Sequence, residues 1–408
     1  MAHGANPKIS VLFYNLYTEM GGGEVAVFNL IKEIDRSKFL PVMMFNRDGE
    51  FVRRVESIGI ATIILPYETV MLSLLIDPRR MWRAMKASYA IYLFVKRNSV
   101  QVIHCSDVLS LLLVAAAAIR FQIPVVFNVI FFYEQLRIWA LNILALFLVD
   151  KIVTNSFLVK NDLEGKTFFL KNKMNVAYHG VDLSLFTPRR AEEEHRLRQE
   201  LRLDSSTLVV GMVGRFEPSK GHVIFLRAAS LVVRQRSDVR FVAIGSVLFQ
   251  DVFPFFKECY EQTLLLWHEL NLEKQVTFLP HRTDMPEVMR DLDLLVVPSL
   301  VEGFGLVVPE ALASGVPVVA GNTVGALEVV RDLPDVYVAE RGNPTAFAEC
   351  IQKALNTSSR KNRSSIRNAA EPVLNNLRWQ EYARRMERIY ASLAEFKNPP
   401  SFTTTELN

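Results

Sequence analysis

The chain of 408 residues carries 47 Lys and Arg against 43 Asp and Glu, a net charge of +4, and half of its residues are hydrophobic. This composition excludes a disordered or collagen-like chain, and at ~100–200 residues per domain the length indicates two or three domains. The three cysteines, Cys105, Cys259 and Cys350, are far apart and odd in number, which argues against a disulfide framework or a CxxC site and for a reducing compartment.

The sequence contains no segment long enough to cross a membrane. The longest uncharged apolar runs, Val108–Ile119 and Ile138–Val149, fall short of the ~18 residues that a span needs. The amino-terminal stretch lacks the long apolar core of a signal peptide, and Ile9–Tyr14 is better explained as a buried first strand. We therefore expect a cytoplasmic protein without a transmembrane segment.

Short β-rich apolar runs alternate with helical patterns in both halves of the chain. In chain order, the strands predicted in the first half are Ile9–Tyr14, Pro41–Phe45, Thr62–Leu65, Val102–His104, Val125–Val129 and Lys151–Thr154. Those predicted in the second half are Leu208–Val213, Arg240–Ile244, Gln275–Leu279, Leu294–Val297, Val318–Val319 and Tyr337–Val338. Strands separated by helix-length segments need crossover connections, which favour parallel sheets covered on both faces. The pattern predicts an α/β protein with two doubly wound parallel-sheet domains.

The predicted boundary between the domains lies in a strongly charged segment. Residues 189–206 form a nearly continuous charged run before the next buried strand, so we expect a linker or a short exposed helix there. This places a first domain at residues 1–188 and a second at 207–375. Apolar residues from Trp379 to Tyr390 recur at helical spacing and predict an amphipathic helix over 376–398, followed by a frayed polar tail, 399–408.

A triple glycine follows the first predicted strand. Gly21, Gly22 and Gly23 precede a helical pattern, and glycine there permits positive φ and a close approach of a ligand to main-chain amides, which suits phosphate. The alternative is a flexible turn without a ligand.

The loop after Leu208–Val213 carries two cations. Arg215 and Lys220 lie at the carboxyl end of the first strand of the second domain, where open α/β sheets bind ligands. A guanidinium and an ammonium group can together hold a pyrophosphate. The alternative is a pair of solvated surface charges.

Two glutamates eight positions apart flank a glycine-rich loop. Leu294–Val297 is followed by Pro298-Ser299 and then by a loop that carries Glu302, while Glu310 falls in the opening turns of the next predicted helix. Carboxylates accept hydrogen bonds from vicinal hydroxyls, and loop amides favour anionic oxygens. We predict that this element binds a sugar, a ribose and a phosphate together, against the alternative of two glutamates on a helix surface.

Together these motifs resemble one family, the retaining nucleotide-sugar glycosyltransferases of the GT-B fold, and in particular family 4. The resemblance covers nearly the whole chain and rests on the glycine turn, on His179-Gly180-Val181-Asp182, on Gly214-Arg215 with Lys220-Gly221, and on the E-x7-E element of Glu302 and Glu310. It implies two facing Rossmann-like domains and a last helix that crosses back to the first domain. It also implies transfer of a sugar from a nucleotide diphosphate sugar to an acceptor hydroxyl with retention of configuration, in polysaccharide or glycolipid biosynthesis.

The resemblance also implies roles for individual residues. Arg215 and Lys220 bind the donor diphosphate, Glu310 the ribose hydroxyls, and Glu302 the transferred sugar or its phosphate surroundings, so that Arg215, Lys220 and Glu302 are the predicted catalytic residues. The glycine turn faces the donor phosphates across the cleft. The full predicted donor-binding set is Gly22, Gly23, Arg215, Lys220, Glu302, Gly303, Phe304, Gly305, Leu306 and Glu310.

On the acceptor side the resemblance is weaker. Many relatives carry a histidine just after the strand Val125–Val129, where this chain has Ile130 or Asn128, whereas His104 matches a frequent histidine. His104 and Asn128 are therefore candidate acceptor-side residues. No metal or other cofactor is predicted, because the cations serve the diphosphate and the DxD-like Asp291-Leu292-Asp293 directly precedes a buried strand.

A basic amphipathic helix is predicted over residues 77–97. Residues 1–190 carry an excess of seven basic side chains, and six basic residues fall in this helix, beside an apolar stripe of Trp82, Met85, Tyr89 and Leu93. In one interpretation the stripe packs on the sheet. In the other it meets an anionic membrane surface, as a peripheral protein with a lipid-linked or cell-surface glycan acceptor would. Nucleic acid is not a predicted partner, because no binding signature accompanies the charge.

Two alternatives to glycosyl transfer stay open from the sequence. A sugar epimerase or phosphorylase on the same architecture keeps a diphosphate or phosphate site, and a non-catalytic nucleotide-sugar-binding protein keeps the donor pocket. Intact Arg215, Lys220, Glu302 and Glu310 argue against a decayed site, although binding alone also preserves them.

Overall fold

The structure is a computed structural model that describes residues 8–65, 77–130, 135–167, 170–190, 192–247, 255–357 and 363–396. It divides into two compact units. The first unit contains the described residues up to Tyr178 together with the last helix, which begins at Trp379, and the second unit runs from His179 to Arg378. The predicted frayed tail, 399–408, lies outside the described residues.

The first unit is built on a seven-stranded parallel sheet in the order β3-β2-β1-β4-β5-β6-β7. The strands are β1 Ile9–Asn15, β2 Phe39–Phe45, β3 Ala61–Ile64, β4 Val102–Cys105, β5 Val125–Val129, β6 Lys151–Thr154 and β7 Met174–Val176. The helices between them are α1 Gly22–Glu33, α2 Glu50–Ser57, α3 Pro78–Asn98, α4 Val108–Phe121, α5 Gln135–Phe147 and α6 Phe157–Lys166. Because the strand order reverses at β1, helices cover both faces of the sheet, as predicted for a doubly wound domain.

The second unit has a six-stranded parallel sheet in the order β10-β9-β8-β11-β12-β13. Its strands are β8 Leu208–Val213, β9 Val239–Ile244, β10 Val276–Leu279, β11 Leu294–Val297, β12 Val318–Gly321 and β13 Val336–Ala339. Its helices are α7 Arg196–Glu200, α8 His222–Val233, α9 Phe255–Glu269, α10 Met285–Asp291, α11 Val307–Ala313, α12 Leu327–Val330, α13 Pro344–Thr357 and α14 Arg363–Asn376. The strand order reverses between β8 and β11, which places the carboxyl ends of these two strands side by side.

The predicted fold class is confirmed, and each of the twelve predicted strands corresponds to a strand of the structure. Most of these strands are buried on both faces, which explains their continuous apolar runs. The prediction missed β7, because only three residues form it and the middle one, Asn175, is exposed at the edge of the sheet.

The last helix, α15 Trp379–Phe396, packs in the first unit, as the predicted return of the chain requires. It lies against α1, β1 and β4, and its own side chains Tyr382, Met386 and Tyr390 are buried. The Tyr390 hydroxyl lies 2.7 Å from Nδ1 of His104 on β4. The helix is therefore held to the sheet by a buried hydrogen bond as well as by apolar packing.

The charged segment predicted as a linker or a short exposed helix belongs to the second unit and contains the short helix α7. Arg189 and Arg198 form buried ion pairs with Asp291 and Asp293, respectively. Asp291 also accepts a hydrogen bond from the backbone N–H of Leu197 at 2.8 Å. The run of charges resembled a solvated linker because its acidic partners lie about a hundred positions further along the chain.

Candidate functional site in the second unit

The predicted donor motifs meet at the carboxyl ends of β8 and β11. The loop after β8 spans residues 214–221 and the loop after β11 spans residues 298–306. A backbone hydrogen bond of 2.7 Å from the Leu300 N–H to the Ser219 carbonyl joins them. Two segments about eighty positions apart in sequence thus form one surface, at the strand-order reversal where open α/β sheets bind ligands.

Two glycines with positive φ allow this close approach. Gly221 has φ +77°, and a Cβ at this position would lie 2.1 Å from the carbonyl oxygen of Pro298. Gly305 has φ +87°, and its Cβ would lie 3.0 Å from Cγ1 of Val324 and 3.1 Å from Cγ of Glu302. Both positions therefore require glycine for conformation and for space.

An ion pair links the two loops. Nζ of Lys220 lies 2.6 Å from Oε2 of Glu302, and the Ser299 hydroxyl donates to the same carboxylate oxygen at 3.3 Å. The two charged side chains are 18% and 17% exposed, so both reach solvent at the edge of the site. An ammonium group has three donors, so Lys220 keeps donors for further oxygens while Glu302 holds it in place.

Arg215 is oriented by a carboxylate in its own loop. Its guanidinium lies 2.9 Å from Oε2 of Glu217, whose Oε1 accepts a hydrogen bond from the Ser219 hydroxyl. Arg215 is 32% exposed and Glu217 only 12%. The guanidinium therefore faces solvent from a fixed position, as an anion-binding group does.

Glu310 differs from the other charged groups of the site. It lies in the first turn of α11 and is partly exposed, and among the described residues its carboxylate has no hydrogen-bond or ion-pair partner. Burial raises its pKa from 4.5 to about 7. A partly buried carboxylate without hydrogen-bond partners is unfavourable when no ligand is bound. Its oxygens can accept hydrogen bonds from two hydroxyl groups of a ligand.

The loop between the two glutamates presents backbone donors. In the part of the chain that the structure describes, no acceptor is found for the N–H groups of Gly303, Gly305 and Leu306. The side chain of Phe304 is 1% exposed and its ring contacts that of His179 at a centroid distance of 5.9 Å. Phe304 therefore fixes the loop by packing, and only its backbone is placed to meet a ligand.

Sequence reasoning missed several residues that shape the site. Glu217 and Ser299 orient the cations and carboxylates named above, and the carbonyl of Thr323 accepts the Glu302 N–H at 3.2 Å. His222 stacks on Phe216 at 4.3 Å, and burial, aided by the nearby Lys220 charge, lowers its pKa to about 3. Glu217 and Ser299 lie within the loops that carry the predicted donor motifs. Thr323 follows another strand, β12, and no sequence motif points to it.

The predicted sites of the first unit have a different environment from the one expected. Gly22 and Gly23 occupy the first turn of α1 and neither has positive φ, so the conformational reason for the triple glycine does not hold. Gly23 is small for a packing reason, because its Cβ would lie 2.2 Å from Cδ1 of Ile130. The helix start is closed by the Glu24 carboxylate, which accepts the Gly21 N–H at 3.1 Å.

His104 and Asn128 are each 1% exposed beneath the last helix. His104 is hydrogen-bonded to Tyr390. Burial lowers the pKa of His104 to about 3, so its ring is neutral. The structure therefore gives His104 a part in anchoring the last helix, and Asn128 is buried with it.

The described residues contain neither a membrane-spanning helix nor a cluster of metal ligands. None of the helices described is both long and apolar enough to cross a bilayer. In the same residues, no three His, Cys, Asp or Glu side chains are grouped as a metal site requires.

Solved structures share the whole fold. HepE of Anabaena, solved with UDP and glucose, has a TM-score of 0.79 and 21% identity, and the match covers 94% of this chain and 100% of that one. Sucrose-phosphate synthase of Thermosynechococcus elongatus has a TM-score of 0.76 and 19% identity, with 96% and 100% covered. At these identities the similarity shows the fold, which is the GT-B fold.

Two family models account for most of the sequence. The model described as Glycosyltransferase Family 4 matches residues 20–185, and the model described as Glycosyl transferases group 1 matches residues 193–372. The chain therefore belongs to the family 4 glycosyltransferases, as its motifs indicated.

Curated relatives carry the name D-inositol 3-phosphate glycosyltransferase. The one from Salinispora tropica is 30% identical over 251 residues, 59% of this chain and 50% of the relative. One from a Mycobacterium species is 36% identical over 185 residues, 45% of this chain and 39% of the relative. The matched part of the chain thus spans about half the length of these relatives or less.

Proposed function

We propose that this protein transfers a sugar from a nucleotide diphosphate sugar to an acceptor hydroxyl. The observation that carries the proposal is the grouping of three features at one strand end: the Lys220–Glu302 pair, and a Glu310 carboxylate and three loop amides for which the described residues supply no partner. These groups match the three parts of such a donor: a diphosphate, a ribose diol and a sugar. The family membership and the UDP and glucose named with the Anabaena structure support the same assignment.

Each group has a role that follows from its chemistry. Lys220 and Arg215 bind the diphosphate oxygens, helped by the N–H groups of the loop after Glu302. Glu310 accepts hydrogen bonds from the ribose hydroxyls. Glu302 already accepts a hydrogen bond from Lys220 and would repel a phosphate, so we assign it to a hydroxyl of the transferred sugar.

The same cations explain how transfer is accelerated. When the bond from the anomeric carbon to the diphosphate breaks, the leaving diphosphate keeps the electron pair and gains negative charge. The acceptor oxygen forms the new bond to the anomeric carbon, and its proton passes to an oxygen of the leaving diphosphate. Fixed cations and amides stabilise this charge more in the transition state than in the ground state. We therefore propose a reaction that does not depend on a metal ion, and retention of configuration as the family resemblance implies.

For the acceptor, we propose a glycan or lipid-linked hydroxyl compound bound by the first unit. The name of the curated relatives adds a phosphorylated polyol to the compounds to be tried first. Gly22 and Gly23 stay proposed donor contacts. His104 and Asn128 are not proposed as acceptor ligands, because both are buried under the last helix.

The experiment is incubation of the full chain with radiolabelled UDP-glucose and other nucleotide sugars, with and without acceptors and with and without EDTA. Glycosyl transfer predicts a labelled acceptor product in EDTA, lost in Lys220→Ala and kept in the matched control Lys257→Ala, which changes an exposed lysine of the same unit. An epimerised sugar nucleotide without acceptor product would support the epimerase alternative. Donor binding without turnover across the acceptor panel would support the non-catalytic alternative.

A further inference from the structure

The apolar stripe of the basic helix is exposed rather than packed. Trp82 is 57% exposed, and Met85 and Tyr89 are each 63% exposed. The face of α3 that packs on the sheet consists of smaller or aliphatic residues, Ala84, Ala87, Ile91 and Val95. The interpretation in which the stripe packs on the sheet is therefore wrong for these three side chains, which are available to another surface, whereas Leu93 is half-buried.

The two neighbouring helices also expose apolar side chains. Ile119 of α4 is 64% exposed, and Ile143 and Phe147 of α5 are 52% and 78% exposed. Helices α3, α4 and α5 pack on one shared hydrophobic core and therefore lie in one layer on the same side of the sheet. We call the outward side of this layer, carrying Trp82, Met85, Tyr89, Ile119, Ile143 and Phe147, the three-helix face.

Aromatic contacts join the stripe of α3 to α4. Tyr89 stacks on Tyr92 at a centroid distance of 6.3 Å, and Tyr92 contacts Phe121 of α4 at 5.0 Å. The exposed side of α3 thus adjoins α4. Six exposed apolar side chains on three neighbouring helices differ from the singly scattered apolar residues that a soluble surface normally carries.

The charge around the three-helix face has one sign. From residue 78 to residue 149, the sequence has eight basic and two acidic residues, and one of the acids, Asp107, is a buried helix cap. Arg79, Arg83 and Lys86 lie beside the stripe on α3, with Nζ of Lys86 3.5 Å from the centre of the Trp82 ring. Exposed aromatics flanked by cations suit the interface of an anionic bilayer, where rings sit at headgroup depth and cations meet phosphates.

We propose that the three-helix face docks on the surface of an anionic phospholipid bilayer, with Phe147, Ile143 and Ile119 entering the headgroup region and the α3 cations binding lipid phosphates. Sequence analysis placed the contact on residues 77–97 alone, and the structure extends it to α4 and α5. A bilayer is favoured over a protein partner because the excess charge on all three helices is positive, which a lipid surface of uniform negative charge complements. The proposal does not depend on glycosyl transfer, because no donor-site residue lies on this face.

The test is flotation of the full chain with phosphatidylcholine vesicles and with vesicles that contain phosphatidylglycerol, at low and high salt. We expect binding to the anionic vesicles only, weakened by salt. The triple variant Arg79→Gln, Arg83→Gln, Lys86→Gln is expected to reduce the partition coefficient about a hundredfold, at about fivefold per cation. Phe147→Ser and Ile119→Ser should each reduce it about tenfold.

Matched control variants test whether vesicle binding depends on where the charges and apolar side chains are removed or only on how many are removed. Lys38→Gln, Arg53→Gln and Lys257→Gln together remove the same charge from side chains about 70% exposed elsewhere, and Leu265→Ser removes an apolar side chain 63% exposed on the second unit. These variants should bind vesicles like the parent. Donor binding, followed by thermal shift, should be unchanged in all of them, so a failed membrane test leaves the donor site untouched.

Three results would overturn the proposal. The first is no flotation with anionic vesicles at low salt, and the second is equal loss of binding in the control variants. The third is a change of oligomeric state, measured by light scattering, in Phe147→Ser with unchanged vesicle binding, which would assign the face to a second copy of the chain.

Discussion

Replacing Glu310 with glutamine should make the ligand-free protein more stable and bind the donor more weakly. Burial raises the pKa of this carboxyl from 4.5 to about 7, which means that folding disfavours the ionised form. At 1.36 kcal/mol per pKa unit, the corresponding free energy is about 3 kcal/mol as an upper value, and about 1–2 kcal/mol after allowing for the partial exposure of the side chain. The amide side chain of the variant would carry no charge, so this cost would disappear at high pH.

The sign of the pH dependence follows from proton counting. Between pH 4.5 and about 7 the folded protein keeps the Glu310 proton while the unfolded chain has lost it, so wild-type stability falls as pH rises through this window. Glu310→Gln removes that slope and should exceed the wild type in stability at pH 8 but not at pH 4. Donor affinity should fall about ten- to a hundredfold in the variant, because hydrogen bonds to a charged group are worth about 1.5–3 kcal/mol.

Urea unfolding at pH 4 and pH 8, combined with calorimetric titration of the donor, measures both effects. Glu349→Gln is the matched control, because Glu349 is exposed on the same unit and outside the site. Unchanged stability at pH 8 would refute the argument from burial, and unchanged donor affinity in a folded variant would refute the ribose assignment. The two outcomes are independent, so each part of the reasoning can fail alone.

Three further predictions follow from contacts described above. Arg215→Ala and Lys220→Ala should each lower kcat/KM at least about tenfold while EDTA leaves the wild type unaffected; restoration of EDTA-treated enzyme by Mg²⁺ or Mn²⁺ would contradict the metal-free assignment. Gly221→Ala should destabilise the protein by several kcal/mol in urea unfolding, because its Cβ would meet the carbonyl of Pro298. Gly59→Ala is the control, with φ +73° but open space around the Cβ, and should cost only about 1–2 kcal/mol. Equal costs would show that the contact with Pro298 does not matter. Tyr390→Phe should cost about 1–3 kcal/mol by leaving Nδ1 of His104 without its partner, with donor affinity unchanged; an unaltered denaturation midpoint would exclude a structural role for this hydrogen bond.

Much of the fold and the grouping of the candidate site residues could be predicted, because both depend on local patterns. Parallel strands buried on both faces leave continuous apolar runs, and the twelve predicted runs are all strands. The topology then places the ends of β8 and β11 side by side without further information. Lys220 and Glu302 meet for this reason, although 82 positions separate them in the sequence.

Most of the predictions that the structure changed concern partners distant in sequence. The charges near Arg198 suggested a linker because nothing local reveals that Asp293 pairs with them. Helical spacing identified the stripe around Trp82 but not which side of the helix packs, since α3 can bury alanines against the sheet as well as larger residues. His104 lies at the end of a predicted strand, where an acceptor-binding residue is expected. Only the position of α15 shows that Tyr390 covers it.

Unpaired polar groups in the candidate donor site indicate where ligand binding would change stability. Among the described residues of the second unit, the Glu310 carboxylate and three loop amides have no hydrogen-bond partners. Unpaired polar groups are unfavourable without a ligand, and the proposed diphosphate sugar would supply the missing partners. A donor at about 100 times its dissociation constant adds about 2.7 kcal/mol of stability by mass action. Hydrogen exchange should therefore slow most at the strand ends after β8 and β11, because the proposed donor completes the hydrogen bonding there.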